Sequence, residues 1–321
     1  MVTNGDDVLE VVPVRHVGRW VAAFFVALGL AMLVHTLVFS KAQGGKSSRF
    51  GWAIVFQYFT TRQVLDGLLV TIELTILAMT IGIVLGMMIA IMRLSHNRLV
   101  SGTAWSYTWF FRGTPVYVQL LFWFNISALY HTVTIGLPFL PVTFLHLDLV
   151  AFFTPFHTAM VGLGLNEAAY MSEIARSGLI SVDEGQIEAA TSLGMTRAQT
   201  LRLVILPQAM RVIIPPTGNE VISMLKTTSL AIAVALTELL QSVTLIYSAN
   251  YEIMPLLIVA SLWYLIVTTV LSIGQYYVER HYAKGALRTP PPTPIQRLRQ
   301  DMRGIAAKFG SGRSAVAKAS S

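Results

Sequence analysis

Six apolar runs divide this chain, at residues 20–39, 68–92, 115–130, 158–176, 211–235 and 255–278. Several approach the roughly 20 residues that a helix needs to cross a bilayer. With 54% apolar and only 12% charged residues, the chain is too poor in charge for an ordinary soluble domain. The expected fold is all-α and polytopic. Within the 68–92 run, Gly82 and Gly86 lie four residues apart, a small-residue face suited to close helix packing. The 20–39 run exceeds the roughly 7–15 apolar residues of a signal-peptide core. It is therefore expected to be retained as a span, although Ser40-Lys41-Ala42 loosely has the form of a cleavage site.

Charge supplies orientation. The net charge of +7 does not point to nucleic acid, because most basic residues flank the apolar runs and nine of 23 follow Glu279. That pattern fits topology signals and contact with anionic membrane lipid. The lead before residue 20, the 93–113 connector, the 176–211 segment and the tail hold two, three, four and nine Lys or Arg. Lys41, Lys46, Arg49 and Arg62 lie on the facing side, and Lys226 falls inside a run. Both termini and the 176–211 segment are thus expected to be cytoplasmic. Aromatics at Trp52, Phe56, Tyr58 and Phe59 predict an interfacial helix, and 131–157, without Lys or Arg, predicts an outer loop with a short helix.

Residues 181–216 are polar and helix-prone between apolar runs. Ser181-x-x-Glu184 and Thr196-x-x-Gln199 are both capping-box patterns, with Gly194 between them. Two short helices are expected, about 184–193 and 197–205, joined by a glycine turn and stopped at Pro207. Ile187, Ala190 and Leu193 on the first, and Leu201, Val204 and Ile205 on the second, give apolar stripes. Such a pair fits a partner's groove, or is simply a folded-back loop.

Glu188-Ala189-Ala190, Gly194 after three residues, and Val204-Ile205-Leu206-Pro207 after nine more resemble the EAA loop of ABC importer permeases. Val204 stands where that family usually has Ile. Phe111-Arg112-Gly113-Thr114-Pro115, Asn166-Glu167-Ala168-Ala169-Tyr170, Glu173-Ile174-Ala175-Arg176, Pro207-Gln208-Ala209, Asn219-Glu220 and Lys226-Thr227-Thr228-Ser229-Leu230 look like the polar amino acid branch. The resemblance implies a five-helix type I importer core at 67–280, with one added N-terminal span in 1–66 and a basic tail at 281–321. It implies a transport subunit, not an enzyme, in a prokaryotic plasma membrane. ATP and Mg would be bound by partner ABC ATPase subunits, with no cofactor on this chain. A second permease, identical or paralogous, and an extracytoplasmic amino-acid-binding protein would complete the importer. Glu188, Ala189, Ala190, Gly194, Leu206 and Pro207 would then couple it to the ATPase.

Charged groups inside a membrane cost about 2.5–3.5 kcal/mol at the centre, so they pair or line an aqueous path. Asn166, Glu167, Tyr170 and Glu173 fall close to one helix face, and Glu220 and Lys226 lie in the next run. Asn166, Glu167, Tyr170, Glu220 and Lys226 are candidates for the substrate path, or else pair with neighbouring helices. Glu173 and Arg176 are spaced for an i, i+3 ion pair. Arg112, Thr114 and Pro115 read either as a gate or as a helix start. The chain has no cysteine, which excludes disulfides and thiolate chemistry, and its seven histidines show no ligand spacing for metal. Gly45-Lys46-Ser47 ends like a phosphate loop but lacks its first glycine and any preceding strand, so it reads as a linker. The competing class is an ion-gradient-driven transporter or channel built on Glu167, Glu220 and Lys226; a membrane scaffold would leave those charges unexplained.

Overall fold

A computed structural model describes residues 17–39, 50–136 and 143–282. The cleavage-like Ser40-Lys41-Ala42, the Gly45-Lys46-Ser47 linker and the tail beyond Tyr282 lie outside the described residues. The chain forms two compact units, Met1–Thr61 with Val243–Val259, and Arg62–Ser242 with Ala260–Ser321.

In the first unit, α1 (Val17–Phe39) is apolar from Trp20 to Val34 and exposes side chains such as Trp20, Phe24 and Leu33. The aromatic segment forms α2 (Trp52–Phe59), as its composition predicts. Gly51 opens it at φ 57°, and a Cβ there would meet Pro255 Cγ at 2.7 Å, so the turn requires glycine. Val55, Leu256 and Val259 are buried in this unit, and Asn250 Nδ2 donates to the Tyr58 hydroxyl at 3.4 Å.

The second unit is built on two helices, α3 (Arg62–Arg93) and α7 (Pro155–Ile180). They run parallel: Ile81 packs on Gly164, Gly82 on Glu167 and Gly86 on Met171. A Cβ on Gly82 would meet Glu167 Cγ at 2.5 Å, and one on Gly86 would meet Met171 Cβ at 2.5 Å. The small-residue face read from the sequence is thus the seam of the bundle. Leu74, Ala78, Leu120, Leu163, Met171 and Met224 form its core. On the other side of α3, Leu69, Ile76, Val84, Met88 and Ile91 stay exposed, an apolar stripe of the kind that faces lipid or another membrane helix.

Between these two lie α4 (Arg98–Gly113), α5 (Val116–Leu129), a hairpin of β1 (Thr132–Gly136) and β2 (Thr143–Asp148), and α6 (Leu149–Phe152). The 93–113 stretch is therefore a 16-residue amphipathic helix rather than a short connector. Asn97 caps it and Ala104, Thr108 and Phe111 are its buried side. The expected outer loop is a two-stranded antiparallel hairpin pairing Thr132 with Asp148, followed by the short helix. Asp148 caps that helix through Val150 and Ala151 N–H.

After α7 come α8 (Glu184–Ser192), α9 (Arg197–Thr200), a π-helical turn (Leu201–Ile205) and α10 (Leu206–Thr227). The helix does not stop at Pro207. That proline falls in the first turn of α10, where the missing N–H breaks no ladder. Nor do Pro215 and Pro216 interrupt α10; they sit inside it. The carbonyls that lose partners belong to the exposed Arg211 and Val212, and Gln275 Nε2 donates to Pro215 O at 2.7 Å.

A 3₁₀ segment (Thr228–Val234) then leads through Ala235, at φ 56°, into α11 (Leu239–Asn250) and α12 (Ile253–Tyr282). The 237–252 stretch, between two apolar runs of the sequence, is thus mainly helix. Among the described residues α3 and α12 are each long and apolar enough to cross a membrane. The segment from Arg197 to Val234 and α11, bent at the break between them, reach that length and apolarity only when taken together. α1 and α5 contribute shorter apolar helices. α7 is the central helix by packing rather than by greasiness, since it buries Gly162, Gly164, Glu167 and Ser172 against its neighbours.

Candidate functional site

Two polar constellations stand out. The first is the helical pair after α7. Asp183, not Ser181, caps α8, accepting from Gly185 N–H at 2.9 Å; Ser181 Oγ instead donates back to Gly178 O at 2.7 Å. At the other end Gly194 adopts φ 73°, the left-handed turn that favours glycine, and Met195 N–H reaches Ala190 O at 3.1 Å. The Thr196/Gln199 capping box forms as the sequence predicts.

Only Ala190 of α8 is buried, while Glu188 and Ala189 face outward. Leu193 is 81% exposed and Leu203 64%, so the apolar stripe is split: Ala190 anchors the helix and Leu193 projects. Leu206 is half-buried and Pro207 exposed. Beneath them Val182, Ala209 and Ile213 form a separate small core with Ile205 and Met210. The element is stiff at its base and presents a bare knob, a shape that another chain can grip.

The second constellation gathers on α7. Its four polar residues do not act on one face together. Asn166 Nδ2 donates to Phe111 O at 2.9 Å and to Gln119 Oε1 at 3.1 Å, closing the α4–α5 junction. Thr114 accepts there from Gln119 Nε2 at 2.7 Å, and Pro115 caps α5, so Arg112–Pro115 forms a bonded helix junction. Glu167, 5% exposed, packs against Gly82 instead, with Oε1 lacking a hydrogen-bond partner among the described residues. Glu220, on α10, is partly buried.

Tyr170 lies under the Arg112 guanidinium, 5.2 Å from ring centroid to Cζ. Glu173 Oε2 accepts from Arg176 Nε and Nη2 at 3.1 and 3.0 Å, as the spacing predicts, while Oε1 holds Arg93 at 2.7 Å and lies 3.8 Å from Arg112. Arg93, Trp105, Trp109, Arg112 and Glu173 line a cavity of about 310 Å³. Lys226 is exposed and joins no ion pair among the described residues. Gln119 carries little sequence signal of its role; its place four residues after Pro115 is the one local hint. No cluster suited to a metal ion occurs among the described residues.

Residues 82–284 match the model of the family described as "binding-protein-dependent transport system inner membrane component". The chain belongs to that family. Among curated relatives of this transport component, the arginine transport system permease protein ArgU of Corynebacterium glutamicum is 46% identical over 284 residues. That alignment covers 88% of this chain and 85% of ArgU. The histidine/lysine/arginine/ornithine transport system permease protein HisM of Escherichia coli K12 is 37% identical over 207 residues, 64% of this chain and 82% of HisM. A crystal structure of an amino acid ABC transporter with histidines superposes with a TM-score of 0.57 at 35% identity, covering 68% of this chain and 94% of that one. The protein is thus a multi-pass membrane permease component of an ATP-driven amino acid importer, working with ATPase and substrate-binding partners. ATP hydrolysis belongs to a separate subunit.

Proposed function

We propose that this permease moves polar amino acids inward, with basic ones the first candidates because ArgU and HisM are named for them. The element from Glu184 to Ile205 is the handle. Glu188, Ala189 and Ala190 seat in a cleft of an ABC ATPase subunit, Gly194 sets the turn, and Leu206 and Pro207 join the handle to α10. The single observation behind this is the exposed α8 knob, anchored by Ala190 and joined across the Gly194 turn to α9, which runs through the π turn into α10. ATP and Mg bind in the partner ATPases, whose closure draws two such handles together and tilts the spans. A second permease, of the same or a paralogous kind, and an external binding protein complete the assembly.

In this reading both termini and the handle are cytoplasmic, as the distribution of Lys and Arg supports. Residues 67–280 form the transport core, preceded by the added span within 1–66 and followed by the basic tail. Glu167 and Glu220 offer carboxylates to a substrate ammonium or guanidinium, and Asn166, Tyr170 and Arg112 hold the helices that frame them. Lys226 contributes from the exposed side of α10. The test is uptake of a panel of labelled basic, acidic and amide amino acids by cells expressing the permease with and without its neighbouring ATPase. Uptake of basic amino acids that vanishes without the ATPase supports the reading; uptake driven by an ion gradient alone overturns it.

A further inference from the structure

Glu238 takes no part in the sites above, yet it is one of the largest fully enclosed side chains, at 0% exposure. It stands at the break before α11. Its Oε1 accepts from Gln241 N–H at 2.8 Å. Its Oε2 accepts from Leu240 N–H at 3.0 Å and from the Tyr264 hydroxyl at 3.0 Å, with the Thr71 hydroxyl at 3.4 Å. Thr71 Oγ1 in turn accepts from Leu239 N–H at 3.1 Å. One carboxylate therefore caps the first turn of α11 and ties it to both α3 and α12.

The tie is deep rather than at a rim. Thr71 lies nine residues into α3 and Tyr264 eleven into α12, about 14 and 17 Å along those helices. Burying a carboxylate is costly, and such groups survive where they fix one arrangement of the chain. What Glu238 fixes is the far end of a rod. α10 starts directly after the π turn that follows α8 and α9, and the 3₁₀ segment carries the chain on to residue 238. A lever turns force into tilt only when its far end is held.

We propose that Glu238 is the pivot of this permease, a positioning residue that pins the far end of α10 to α3 and α12 so that force on α8 becomes helix tilt. This rests on the importer reading. Glu238→Gln turns one acceptor oxygen into a donor, so whichever way the amide points, Leu240 or Gln241 N–H loses its acceptor. Tyr264→Phe leaves the helix cap intact and removes the α12 hydroxyl that meets Glu238.

The experiment reconstitutes the complete importer, with ATPase and binding protein, in liposomes and measures amino acid taken up per ATP hydrolysed. Both variants are expected to lower that ratio about five-fold or more, with ATP turnover and the amount of complex unchanged. A ratio within about two-fold of wild type in Tyr264→Phe overturns the proposal. So does a parallel fall in uptake and ATP turnover that follows the amount of complex, the signature of a merely structural residue. Should Glu238→Gln fail to assemble, Tyr264→Phe and Thr71→Val carry the same test. A wild-type complex with no ATP-dependent uptake overturns the importer reading itself, before any variant is compared.

Discussion

Arg93 donates a 2.7 Å hydrogen bond to Glu173, joining the last residue of α3 to a carboxylate 80 positions further on. The pair is mostly sheltered, with the two side chains 16% and 23% exposed. The same carboxylate receives Arg176 and lies 3.8 Å from Arg112, so one acid organises three guanidinium groups. The geometry is asymmetric: the acid is shared, and each arginine is replaceable in part by the others.

Removing that acid should cost more than removing any one of its partners. Glu173→Ala leaves three like charges together and is expected to destabilise the permease by about 1.5–3 kcal/mol, the range for hydrogen bonds to charged groups. Arg176→Ala should cost clearly less. Thermal unfolding of the solubilised protein, read for both variants, checks the order; equal losses would contradict it.

The α3–α7 seam predicts a steric asymmetry among glycines. Gly86→Leu must push into Met171 and the Ala168 carbonyl, and overpacking of this kind costs about 1–3 kcal/mol. Gly102 has no other atom within 4 Å of the place a Cβ would take, so it should accept alanine without loss. Yield and melting temperature of the two variants give the comparison.

Gly194 separates mechanics from folding. It is surrounded by open space, so a side chain clashes with nothing, but φ 73° strains any non-glycine residue by about 1–2 kcal/mol. Gly194→Val should therefore insert normally while α8 is misdirected and uptake falls. Uptake assays normalised to membrane-inserted protein make the check; unchanged uptake would mean the turn does not aim the handle.

The sequence made the handle legible because its signals are local. Thr196 with Gln199 and the position of Gly194 each act within one turn of chain. Ser181 misled because Asp183, two residues nearer the helix, competes for the same cap. Pro207 misled because a proline ends a helix only where its missing N–H matters, and here it falls in the first turn of α10. The α7 residues looked like a single face, yet each was claimed by a different neighbour: Asn166 by Gln119, Glu167 by Gly82, Tyr170 by Arg112. Glu238 carried no local signal at all. Its importance lies in Thr71, 167 residues away, and in Tyr264, contacts that only the folded bundle creates.

The central claim is that the exposed α8 knob meets an ATPase on the inner side of the membrane. The chain has no cysteine, so a single Glu188→Cys gives one clean reporter. With a membrane-impermeant maleimide it is expected to label in inside-out vesicles and not in intact cells, and with a thiol-to-amine bifunctional reagent, in a separate sample, to cross-link to the ATPase subunit. Labelling from the outer face, or free labelling with no cross-link in the assembled complex, would contradict the account.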